Sequence, residues 1–182
     1  MNSSANSLAQ RLGITANESP LRWKLVRLKQ RFPSPGAASV EAWLVDVANS
    51  RGARVVRRQE LPDEFTIAES ELSNEELVVG LLLPCLADEP ATLRLAAQII
   101  SRGLVDDARL LTVARREGAL RVLANLAAQA LRVAPDHPLW RRIAEATAHE
   151  RPLPENVIHW TRLAEPVMPA RGVHDGQWRL VA

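Results

Sequence analysis

Between Ser73 and Thr147 the chain is punctuated too often to hold any long element. Ser73 and Glu76 have the spacing of a capping box, in which each side chain satisfies the other's free backbone N–H. Leu72 and Leu77 stand where a hydrophobic staple places its pair. That start opens "NEELVVGLLL", an apolar helix that Pro84 must end or kink. Asp88 or Glu89 before Pro90 opens a second helix, which Gly103 closes. A third begins near Val105–Asp106 and ends at Gly118. A fourth runs from Ala119 to about Val133, with Val122, Leu123, Leu126, Ala127, Ala130 and Leu131 on one face. Pro135 stops it, and Asp136 is expected to cap a fifth that carries Leu139, Trp140, Ile143 and Ala144. Short helices joined by loops of about 2–5 residues pack against antiparallel neighbours. The expectation is a helical array of about five helices over residues 71–150.

The flanks read differently. In residues 1–70, "SLAQRLGIT" suggests a short helix from Ser7 to Leu12 closed by Gly13. Ser19 then suits an N-cap and Pro20 a first helical residue. Leu21, Leu25, Leu28 and Phe32 fall on one stripe of the helix that follows, and "FPSPG" must stop it. Another helix is expected from Ser39 to Asn49, with Val40, Trp43, Leu44 and Val47 inward and Gly52 at its exit. "ARVVRRQ" and "EFTIAE" are strand candidates around "ELPD". The tail, 151–182, is dotted with prolines. Asp175–Gly176 suits a two-residue hairpin turn that would pair Gln177–Val181 with Val173 and its neighbours, or the strand could extend a sheet at 53–68. The fold class is therefore mainly α: a small N-terminal α(+β) module, an antiparallel helical array and a C-terminal β-hairpin-like tail.

Locally, "ANLAAQALRVAPDHPLW" is similar to the second helix and exit of a tetratricopeptide repeat. A solenoid repeats, and no second copy stands 34 residues away, so the similarity assigns no family.

Composition narrows the class. Of 182 residues, 47% are apolar and 24% charged, the balance of a globular chain. A lone cysteine, Cys85, leaves no internal disulfide. The opening "MNSSANSLAQRL" is polar and lacks the pattern of a secretion signal. The longest apolar run, Leu77–Ala87, is 11 residues and contains a proline, against the roughly 20 that a membrane span needs. These features suggest a cytoplasmic protein. Arginine outnumbers lysine 21 to 2 and alanine is abundant, which suggests a bacterial, GC-rich coding sequence.

Little in the chain promises catalysis. His137, His149, His159 and His174 have no i, i+4 partner on an expected helix, and only His149 and His159 are close enough to converge on a metal. Cys85 sits in the most apolar segment, and Asp88 and Glu89 would disfavour its thiolate. No phosphate-binding glycine loop and no nucleophile elbow occurs. The expectation is a non-enzyme without metal or cofactor.

Charge is the remaining signal. Residues 1–59 carry ten Lys/Arg against three acids, residues 60–90 carry nine acids and no base, and residues 91–182 carry thirteen Arg against nine acids, for a net +2. The basic part is densest in "LRWKLVRLKQRF". Arg22, Lys24, Arg27, Lys29 and Arg31 could neutralise phosphates there, and Trp23 could stack on a base. "LAQRLGIT" is similar to the start of a helix-turn-helix, with Ala9 and Gly13 four residues apart. The order helix, helix, helix, strand, strand would suit a winged helix whose wing bears Arg54, Arg57 and Arg58. The apolar position expected six residues after Gly13 is, however, Ser19, followed by Pro20.

Two functions follow. One is a non-catalytic interaction or adaptor protein whose helical domain holds a protein partner, itself among the options. The alternative is a nucleic-acid-binding regulator. Under the second, the eight cations form one exposed patch. Under the first, they scatter or pair with the acids at 60–76.

Overall fold

A computed structural model describes residues 19–53, 65–83, 90–166 and 177–181. Within them are seven α-helices and one two-stranded antiparallel sheet. The helices are α1 (Pro20–Arg31), α2 (Val40–Ser50), α3 (Asn74–Leu82), α4 (Pro90–Ser101), α5 (Asp107–Arg116), α6 (Leu120–Leu131) and α7 (Pro138–Ala146). A 3-10 turn, Trp160–Arg162, leads into β1 (Ala164–Pro166), which pairs with β2 (Trp178–Leu180). The mainly helical architecture and the small C-terminal sheet agree with the sequence. The short helix at 7–12 and, from Arg54 on, the strand candidate at 53–59 lie outside the described residues.

Local chemistry sets the boundaries. The hydroxyls of Ser19, Ser39 and Ser73 and the carboxylate of Asp106 each accept a backbone N–H three residues on. The Ser73/Glu76 capping box is complete. At the other end of α5, Gly118 adopts φ +71. Its N–H donates to the Arg115 carbonyl and that of Ala119 to the Ala114 carbonyl, which reverses the chain in one step. Gly103 closes α4 through the same pair of bonds.

One boundary differs from expectation. The cap of α7 is His137, not Asp136: its Nδ1 accepts the Trp140 N–H, and its Nε2 lies 3.1 Å from the Ser101 carbonyl. Pro138 decides this, because proline favours the first helical position and so makes the preceding residue the cap. Asp136 instead pairs with Arg141 at 2.6 Å.

Helix α3 is the hub. From Leu77 to Leu82 every residue is buried, because α1, α2, α4 and α5 all pack on it. One apolar core runs from Leu21, Leu25 and Leu28 through Trp43, Leu44 and Leu77 to Trp140 and Ile143. Both buried indoles are satisfied: Trp43 Nε1 donates to the Phe32 carbonyl and Trp140 Nε1 to Ser101 Oγ. At Gly80, α1 and α2 come so close that a Cβ would stand 3.0 Å from Leu25 Cδ1 and 3.6 Å from both Leu44 methyls.

The expected strand "EFTIAE" is not a strand where it is described. Phe65–Ala68 has no ladder partner, and Ile67 is buried in the core. Its carbonyl accepts from Arg51, and the Ala68 carbonyl accepts from Glu71 and Leu72 N–H to make a turn. Arg51 is the organiser here. Its guanidinium also reaches Asn74 Oδ1 at 2.7 Å and the Leu72 carbonyl, clamping the exit of α2 to the entrance of α3.

The tail is fastened along α6. Arg121 donates to the carbonyls of Arg151 and Pro152, Asn125 bonds Asn156 and the Val157 N–H, and Arg132 lies over the Trp160 ring. Val157 and Ile158 are buried between these points. Strand β2 pairs with Ala164–Pro166; Val173 and its neighbours, the partner expected from sequence, lie outside the described residues. Trp160 and Trp178 meet edge to face across the sheet, with centroids 5.8 Å apart.

Candidate interaction surface

Helix α1 carries the residues that sequence singled out, and it is held firmly. Leu21, Leu25 and Leu28 are sunk in the core. Ser19 Oγ accepts the Arg22 N–H, and Glu117 Oε2, from the end of α5, accepts the Leu21 N–H at 3.3 Å. The Glu117 side chain is wholly buried and also takes Arg116 Nε at 2.7 Å. A carboxylate at a helix N-terminus answers both the orphan N–H groups and the positive end of the helix dipole.

The basic residues then divide. Lys24 Nζ reaches both oxygens of Glu76, at 2.7 and 2.8 Å. Arg31 Nη1 pairs with Glu71 at 3.0 Å, with its guanidinium over the Phe32 ring. Arg22 and Arg27 are exposed and Lys29 half-exposed, and none has an ion-pair partner among the described residues. Trp23 stands between them with 58% of its surface in solvent. Trp23, Val26, Arg27 and Gln30 follow i, i+3, i+4, i+7, so they form the outward row of α1, opposite the leucine stripe. Arg54, Arg57 and Arg58 lie outside the described residues.

Other candidates are accounted for locally. His149 Nε2 lies 3.4 Å from Glu150, and His159 Nδ1 lies 2.8 Å from Thr161 Oγ1. Among the described residues no cluster of three or more His, Cys, Asp or Glu could hold a metal. No helix there is long and apolar enough to cross a membrane. Cys85 and His174 lie outside the described residues.

Two carboxylates are tuned. Burial works against ionisation of Glu75, but the Asp106 N–H, the Ser73 hydroxyl, its own N–H and Arg109 outweigh it, and its carboxyl is held below its ordinary range. The Arg142 bond holds Asp107 below its range too, against a little burial. Glu75 ties the entrance of α3 to that of α5, and Asp107 ties the entrance of α5 to the middle of α7. Burial lowers the Arg51 pKa, with Glu69 and Glu75 opposing.

Sequence reasoning did not single out Arg51, Glu117 or the Trp160–Trp178 pair. The long-range bonds leave no local trace; of the cations that sequence left either to scatter or to pair with the acids at 60–76, Lys24 and Arg31 pair, with Glu76 and Glu71. No family model, curated protein or solved structure matches the chain.

Proposed function

We propose that this chain is a non-catalytic interaction module, an adaptor of the cytoplasm, that meets a protein partner through the outward row of α1. The observation that carries the reading is Trp23. A large ring that is mostly in solvent, on a helix anchored by three buried leucines and two caps, is a rigid anchor offered to something else. Tryptophan and arginine dominate the energetic centres of protein interfaces. Here Arg22 and Arg27 flank the ring.

A second reading keeps the same face for nucleic acid. Arg22, Arg27 and Lys29, with no ion-pair partner among the described residues, stand on the helix of an exposed ring and favour it, since phosphates seek cations and bases stack on indole. The pairing of Lys24 and Arg31 weighs against it, because Glu76 and Glu71 bring two carboxylates along one flank of the face.

The test is a photo-crosslinking amino acid at position 23 of the full chain in living cells, with position 128, exposed on α6, as control. Protein adducts specific to position 23 support the first reading. Nucleic-acid adducts move the assignment to the second, and no adduct above the control refutes both.

A further inference from the structure

Resting on that reading, we infer that the outward row of α1 takes an acidic segment of a partner protein, one that sets an apolar side chain on Trp23 and carboxylates on Arg22 and Arg27. Charge complementarity carries the argument. One flank of α1 is already neutralised by the chain itself, Lys24 by Glu76 and Arg31, two turns on, by Glu71. What remains outward is positive, with cations one residue before and four after an exposed indole. Val26 and the Trp23 ring supply the apolar centre, and the arginines supply forks that match carboxylates.

The same geometry narrows the occupant. A second copy meeting this face symmetrically would set Arg22 and Arg27 against themselves, which like-charge repulsion disfavours. A duplex would find three cations without an ion-pair partner among the described residues and, along one flank, two carboxylates, a shallow electrostatic grip. A helix of 12 residues is about 18 Å long, so one face of it accepts a short segment. Contacts of this size belong to weak, exchangeable complexes with dissociation constants in the micromolar range.

The test uses a displayed random 12-residue peptide library, panned on the full chain and counter-selected on the Trp23→Ala variant. Trp23 is exposed, so that variant keeps the fold. The expected pool is rich in Asp and Glu, with an aromatic or branched aliphatic residue among them. Synthetic labelled members of the pool then bind in the micromolar range. They weaken about tenfold or more with Trp23→Ala and about three- to tenfold with Arg22→Gln/Arg27→Gln. Raising salt from 50 to 300 mM should weaken them further. A pool enriched over the Trp23→Ala control but neutral or basic overturns this inference and leaves the interaction reading standing. No enrichment, together with no protein adduct at position 23, overturns both. A labelled 20-base-pair duplex that binds and is lost in the arginine variant overturns the inference in favour of nucleic acid.

Discussion

Replacing Gly80 with alanine sets two effects of known size against each other. In an exposed helix the change stabilises by about 1 kcal/mol, because glycine is the costlier residue in a helix interior. At this position the new Cβ lies 3.0 Å from Leu25 Cδ1 and 3.6 Å from two Leu44 methyls. Leu25 and Leu44 are both wholly buried, so the displaced methyl has no solvent to move into. Adding a methyl to a close-packed core costs about 1–3 kcal/mol. Only one contact is tight, so the steric cost is about 2 kcal/mol and the net loss about 1 kcal/mol. Urea unfolding followed by circular dichroism reads this directly. With a slope of roughly 2 kcal/mol per molar, the midpoint falls by about 0.5 M. Leu25→Val, which shortens the offending side chain, gives the diagnostic double variant. Gly80→Ala in that background should cost less than alone, with a coupling of at least 0.5 kcal/mol. A midpoint that rises, or two substitutions that simply add, would refute the claim that Gly80 exists to let α1 and α2 settle on α3.

Glu117→Gln keeps an acceptor for the Leu21 N–H but removes its charge, and should cost about 1 kcal/mol, while Glu117→Ala strands the buried Leu21 N–H and should cost about 2–3 kcal/mol. An alanine variant as stable as the parent in the same urea assay shows that the α1 cap is idle. Glu75 and Asp107 set an acid limb: their folded pKa values lie below the ordinary 4.5 and 3.8, so the stability they add is present above those values and lost as pH falls through the folded ones. Glu75→Gln should flatten stability against pH below about 4.5, and an unchanged slope contradicts that assignment.

How far the sequence reached depended on how local each cause was. Ser19 before Pro20, the Ser73–Glu76 box and Gly118 act within one helical turn, and each stands where its spacing placed it. His137 before Pro138 follows the same rule as Ser19 before Pro20, and that rule outranks the capping strength of Asp136. Ile67 and its neighbours looked like strand because they are apolar and branched, but Arg51 takes the carbonyl that a ladder would have used. The partner of β2 depended on a segment 14 residues away, Glu165 against Arg179, and no turn rule reaches that far. At the α1 face, helical periodicity separated the leucine stripe from the outward row. It could not say which cations were free, because that was settled by Glu71 and Glu76, 40 and 52 residues along the chain.

The bond between Glu117 and the Leu21 N–H spans 96 residues, and this separation has a consequence during synthesis. At about 5–20 residues per second, Leu21, Leu25 and Leu28 leave the ribosome some 5–20 s before the residue that caps their helix exists. Through that interval α2 and α3 can already cover the leucine stripe, but the Leu21 N–H has no carboxylate to answer it. The serine cap and the proline after it are present from the start and bias the segment toward helix while it waits. Helix α1 is thus begun early and fastened late, and the face it offers to a partner is completed only when the end of α5 arrives.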